Sequence, residues 1–383
     1  MEFDFLVPLD AEILDYIQGL SAQHLGSKVV FHTNDSVPDL DRINIAIIGV
    51  LDNRGDQSAN TMVDLSAVRK EFYKMFPGNW KAGIADLGNV LAGNTKEDTY
   101  FAVKKIASGL IKKRIIPVII GGSQDLTYPM YRGYDDLEQM VNLVSIDSKF
   151  DFGKENEQIS SNSFLTKIIV DEPNNLFNFC NIGYQTYYNS QEEIDLIEKL
   201  FFDAYRLGEV SNNISISEPV FRDADIVSVD LRAIKSSDSG NFIDFNPNGF
   251  NGKEICSLAR YAGISDKVSS FGVFNHHNTK EEAVIIAQIC WYFVEGYHYR
   301  SNEYPFGSKE KYLKYIVPLE EEDLVFFKSD KTDRWWIEIP YVMSSGNKLK
   351  KNSLLPCSYE EYLAACNQEM PERWWKVQRK NIL

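Results

Sequence analysis

Apolar residues along this chain fall into two alternating rhythms. Short, nearly continuous runs rich in Ile and Val occur at 43–51, 115–120, 141–147, 176–183, 225–230 and 268–274. Such runs predict strands buried on both faces, the arrangement of a parallel sheet. Amphipathic stretches with helical spacing lie between them, at 62–76, 95–114, 191–202, 253–261 and 280–299. Thr95 with Asp98 gives the second of these a capping-box opening. The alternation predicts one α/β domain over 41–304, a three-layer α/β/α arrangement with a mostly parallel sheet.

Two segments stand outside that rhythm. Residues 1–40 predict one helix, over 11–23, and a polar lead-in ending at Pro38. After Tyr304-Pro305 the alternation stops, and 305–383 carry a short acidic-Arg-Trp-Trp repeat at 333–336 and 372–375. This stretch predicts a small Trp-rich appendage packed on the core. Its Arg334, Trp335, Trp336, Arg373, Trp374 and Trp375 either dock the appendage or form an interaction surface, since Trp and Arg are favoured interface anchors.

Charge narrows the partners. The 383 residues hold 40 Lys plus Arg against 55 Asp plus Glu, a net charge of −15. That surface repels phosphate backbones and anionic lipid, so the expected partners include no nucleic acid. With no long apolar run, no direct membrane insertion is expected. Glu2 and Asp4 stand where a signal peptide carries Lys or Arg. The 5 cysteines are scattered without CxxC spacing, which suits reduced thiols and a cytoplasmic setting. None has a His near it in sequence, so each reads as a small buried hydrophobe.

Ligands of a parallel sheet gather at the carboxyl ends of its strands. Three predicted ends carry polar clusters here: Gly121-Gly122-Ser123-Gln124-Asp125, then Asp147-Ser148-Lys149-Phe150-Asp151, then Ser228-Val229-Asp230-Leu231-Arg232. At these residues the chain resembles the ureohydrolase superfamily of arginases, agmatinases and formimidoylglutamases. The resemblance spans roughly 40 to 300 and implies an arginase-like sheet of about eight strands. It also implies Gly-Gly-x-His, Asp-x-His-x-Asp and Ser-x-Asp-x-Asp motifs holding two manganese ions, whose bridging hydroxide attacks an amidine or guanidinium carbon.

Against that pattern, Gln124 replaces the first His, Lys149 the second and Arg232 the last Asp, while Asp147, Asp151 and Asp230 remain. Protonated Lys and Arg offer no lone pair and repel a cation. Val273 stands where the resemblance places a substrate-binding Glu, before Asn275. The net charge of the pocket is nonetheless kept if the ammonium of Lys149 and the guanidinium of Arg232 fill the volume of the two metals. His276 and His277 follow the last predicted strand and read as rim residues with ordinary polar roles.

The expectation is therefore a ureohydrolase-fold protein without its manganese cofactor and without catalytic residues, a pseudoenzyme acting as a binding or scaffold protein. One alternative is an amidine or guanidine hydrolase, formimidoylglutamase- or arginase-like, with a non-standard site. Another is a small-molecule sensor in which Lys149 and Arg232 grip an anion. The resemblance further implies self-association, or a protein partner reached through the tail. The tailed form resembles a branch from bacteria that glide or secrete through the type IX system, which implies a link to that machinery.

Overall fold

The structure is a computed structural model that describes residues 4–56, 62–137, 139–154, 157–303, 305, 309–320, 322–339 and 354–382. The expected boundary residue Tyr304 lies outside the described residues. Nine parallel strands form the central sheet. In chain order they are β1 (Val29–Phe31), β2 (Ile45–Leu51), β3 (Ile84–Leu91), β4 (Ile116–Ile120), β5 (Val141–Ile146), β6 (Leu176–Tyr184), β7 (Asp203–Arg206), β8 (Ile226–Asp230) and β9 (Ser270–Phe274). Across the sheet they run β1-β3-β2-β4-β9-β8-β5-β6-β7.

Side-chain alternation along the strands builds the layers. In β2, Ile45 and Ile47 enter one core cluster, while Ala46, Ile48 and Val50 enter the other. Helices Gly252–Ile264 and Lys280–His298 close the first through Leu258, Ile286 and Phe293. Helix Lys96–Lys112 closes the second through Val103, Ile106 and Leu110. Its Thr95–Asp98 capping box is present as expected. The fold is arginase-like α/β with helices on both faces of a parallel sheet.

The sheet has nine strands where about eight were expected. β3 escapes a reading based on apolar runs because Asp86 and Asn89 interrupt it. Both are buried, and Arg69 satisfies them, with Nε 2.8 Å from Asp86 Oδ2 and Nη1 2.8 Å from Asn89 Oδ1. β1 and β7 are edge strands of 3 and 4 residues, too short to show a period.

The C-terminal appendage is a second, antiparallel sheet of β10 (Tyr312–Pro318), β11 (Asp323–Ser329), β12 (Trp335–Glu338) and β13 (Leu354–Cys357). Helices Tyr359–Cys366 and Glu372–Ile382 pack on it around a core that includes Phe326, Trp335, Ile337 and Trp374. Arg222 ties this unit to the central domain. Its Nη1 donates to Trp335 O at 3.0 Å, its Nη2 to Cys357 O at 2.8 Å, and its guanidinium lies 4.8 Å from the Trp336 ring. Lys376 adds an ion pair to Asp203 at 3.4 Å. Arg222 precedes β8 and Asp203 opens β7, so the appendage sits at the amino ends of the strands. Among the described residues no helix is long and apolar enough to cross a membrane.

Candidate functional site

β4, β9, β8 and β5 are neighbours in the middle of the sheet, so the residues leaving their carboxyl ends converge. Gly121 and Gly122 turn the chain out of β4 with φ of +88° and +72°. A Cβ on Gly122 would lie 2.5 Å from Asp52 O, so only glycine makes that turn. Gln124 follows it, fully buried. Its backbone N–H donates to Asn275 Oδ1 at 3.1 Å, and its side-chain amide donates to Ser145 Oγ at 3.3 Å. Asn275 leaves β9 with φ +62° and also accepts from Ser161 Oγ at 3.0 Å. Gln124 is thus held in a closed net of neutral polar groups.

Asp147, Asp151 and Asp230 come together as the sequence predicted, all buried. Arg232 enters the same space. Its backbone N–H donates to Asp230 Oδ1 at 2.7 Å, and its Nε donates to Asp230 Oδ2 at 2.8 Å. Burial opposes the charge on this guanidinium, but the carboxylates of Asp230, Asp151 and Asp147 outweigh it and hold its pKa above the ordinary value. Burial likewise raises Asp147, to about 7, with Asp230 adding to the shift. Asp151 is raised well above the carboxylate range by burial and by Asp147 beside it. Burial and their mutual repulsion thus push both carboxyls toward the protonated form.

Lys149 does not fill the pocket, contrary to expectation. Its backbone N–H caps Asp147 Oδ1 at 2.9 Å and its carbonyl accepts from Asn181 at 2.7 Å, a tight turn that swings the side chain outward. The ammonium lies 5.8 Å from the Tyr188 ring centroid and makes no ion pair among the described residues. Against the three carboxylates stand the Arg232 guanidinium and a raised affinity of Asp147 and Asp151 for protons.

Above these residues opens a cleft of about 350 Å³ lined by Lys149, Asn162, Tyr188, Asp230, Arg232 and Phe245, among others. Asn162 and Phe245 sit in turns and Tyr188 closes a short 3-10 helix, Thr186–Tyr188, and none of the three carried a sequence signal. Phe245, Phe242 and Tyr187 are exposed around the mouth. His276 is buried, and His277 is half-buried with its ring covered. His277 Nδ1 lies 3.4 Å from Glu282 Oε1 and Nε2 lies 3.4 Å from Asp244 Oδ2. The hydrogen bond to Glu282 raises its pKa, so the ring bridges the 241–246 loop to helix Lys280–His298. Burial holds His276 below the usual value.

The donor set does not fit the pair of manganese ions that the resemblance implies. Asp147 Oδ2 and Asp151 Oδ1 are buried without a hydrogen-bond partner, as ligand atoms would be. Asp230, however, is committed to Arg232 on both oxygens, and Lys149 and Arg232 supply charge of the wrong sign. Among the described residues no group of three or more His, Cys, Asp or Glu is placed to hold a metal ion.

The tail residues behave as packing. Trp335, Trp336 and Trp374 are buried, and buried Arg373 donates to Pro356 O at 2.9 Å. Arg334 Nε lies 3.4 Å from Glu218. Only Trp375, 37% exposed and edge-on to Phe201, reaches the surface among the four Trp residues. The interaction surface expected from this repeat is mostly interior, because the two Trp-Trp pairs supply the apolar volume of a unit this small.

Comparison with known proteins agrees with this architecture. Residues 44–234 match the Arginase family. A Trypanosoma cruzi formiminoglutamase crystallised with Mn2+ superposes with a TM-score of 0.61 at 16% identity, over 69% of this chain and 97% of its own. The formimidoylglutamase of Bacillus subtilis superposes with a TM-score of 0.60 at 15% identity, over 76% and 100%. The agmatine ureohydrolase of Thermoplasma volcanium gives 0.57 at 16%, over 74% and 97%. No curated protein matches the sequence.

Proposed function

From a chain whose residues 44–234 are an arginase-family segment on the arginase fold, we propose a homologue that does not hydrolyse amidines through a metal pair. It works instead as a binding or scaffold protein, with the degenerate pocket as an internal structural element. The observation that carries this reading is the Arg232 guanidinium bonded to Asp230 in the space between Asp147, Asp151 and Asp230. A bridging hydroxide needs cations on both sides to lower the pKa of its parent water. Here both oxygens of Asp230 are spent on a guanidinium, which does not polarise water in that way.

The test is direct assay of formimidoylglutamate, agmatine and arginine with the protein supplied with manganese, following formamide, ammonia or urea release. The expected rate is that of the solution without protein. Turnover that disappears in Asp147→Asn and Asp230→Asn would establish an amidine or guanidine hydrolase with a non-standard site.

A second reading is favoured by the cleft itself. The Lys149 ammonium rests on Tyr188 at the wall of a cavity of about 350 Å³, with Arg232 at its floor. A small ligand bearing a carboxylate or phosphate would find both cations within that cleft. Thermal-shift screening with anionic metabolites separates the two readings, since a ligand whose shift is lost in Lys149→Ala assigns the pocket to sensing.

A further inference from the structure

The outer face of helix Lys96–Lys112 carries a groove unrelated to the pocket at the strand ends. Phe101, Lys105, Ser108 and Lys112 follow one another at steps of 4, 3 and 4 residues, which places them on one stripe of the helix. Phe101, Lys105, Lys112 and neighbouring Lys113 are exposed, while Ser108 and Gly109 form a buried floor. The hollow they line measures about 560 Å³. Its apolar wall is the pair Phe5 and Phe101, edge to face at 5.8 Å. Phe5 is held there by Val7, which pairs with Asn89 through bonds of 2.8 and 2.9 Å. Past these two rings a second hollow of about 340 Å³ continues along Val90 and exposed Leu91.

Three features identify the occupant. Three lysines crowd one groove on a chain of net charge −15, so the local field there is opposite to that of the whole surface. Asp136, at the edge of the groove, pairs with Lys112 at 3.3 Å between two exposed side chains, a weak contact that another carboxylate can replace. Ser108 Oγ is buried and has no hydrogen-bond partner, although a helical serine commonly bonds back to its own helix. Small residues at the floor let a backbone come close enough to supply that partner.

We infer that this groove is a docking site for an acidic segment of another protein that lays an apolar side chain against the Phe5–Phe101 pair. Its carboxylates meet Lys105 and Lys112, and a backbone group meets Ser108. The concave floor suits a chain segment and argues against the flat surface of an anionic membrane as the occupant. The inference stands apart from the reading of the strand-end pocket, because no residue is shared.

Selection of a random phage-displayed peptide library on the whole chain tests it. Expected are peptides enriched in Asp and Glu beside Phe, Leu or Trp, whose affinity falls at least about tenfold in Lys105→Glu/Lys112→Glu. Both lysines are exposed, so the melting temperature of that variant should not move. Phe101→Ala should weaken the same peptides. Enrichment of basic or neutral sequences, no enrichment, or peptides insensitive to the lysine exchange would overturn the inference. Binding of phosphatidylserine-containing vesicles that the exchange abolishes would overturn it in favour of a membrane.

Discussion

At the carboxyl end of β8, Arg232 takes up both oxygens of Asp230, one of three carboxylates that the ureohydrolase pattern would commit to two ions. Removing the guanidinium leaves Asp230 with neither counter-ion nor solvent. Arg232→Ala should therefore cost about 3 kcal/mol in chemical denaturation, the lower end of values for broken buried pairs. Lys149→Ala should cost less than about 0.5 kcal/mol, because its ammonium touches only Tyr188 and solvent. Equal losses at the two positions would contradict the geometry. The raised carboxyls have their own signature. Asp147 and Asp151 have folded pKa values raised above the unfolded range near 3.9, so the folded state holds more protons between the two. Stability should be greatest below that range and fall as pH rises toward and past about 7, where Asp147 titrates. Melting temperatures between pH 5 and pH 9 should fall less steeply in Asp151→Asn than in the parent chain. The convergence of Gln124, Asp147, Asp151, Asp230 and Arg232 was legible in the sequence, because strand ends in a parallel sheet are placed by topology. The direction of the Lys149 side chain was not. It follows from a turn in which its own backbone caps Asp147, and residue type carries no sign of that.

Element by element, legibility followed the length and purity of the apolar runs. β2, β4, β5, β6, β8 and β9 are buried strands with few polar interruptions, and each was predicted within a few residues. β3 was hidden because a buried arginine pays for the polar residues within it, a tertiary contact with no local trace. In the appendage, composition announced aromatic packing but could not say whether the Trp pairs faced a partner or each other. Trp335, Trp336 and Trp374 face inward while Trp375 stays partly exposed, and Arg222 is the clamp beneath the first pair. Arg222→Ala should raise hydrogen exchange in β12 and β13 while leaving β4 and β9 unchanged. Trp374→Ala should cost about 3–5 kcal/mol of the appendage's own stability. Uniform loosening of both sheets by Arg222→Ala would mean that the appendage and the central domain unfold as one unit.

Across the whole molecule, two ends of one sheet carry different structures. The carboxyl end holds the charged pocket and its aromatic mouth, and the amino end is covered by the appendage. The appendage therefore cannot act as a lid on the pocket, and any influence of one on the other must pass through the strands. The fold is shared with formimidoylglutamase and agmatine ureohydrolase structures at 15–16% identity, so it leaves activity to be decided by the site. The most direct measurement is metal content by elemental analysis of protein expressed with manganese and then dialysed, paired with the melting temperature on adding Mn2+. The account predicts near-zero metal and no shift, because Arg232 already occupies both oxygens of Asp230. One or two tightly held ions per chain would contradict it, and would mean that Arg232 moves off Asp230 to admit them.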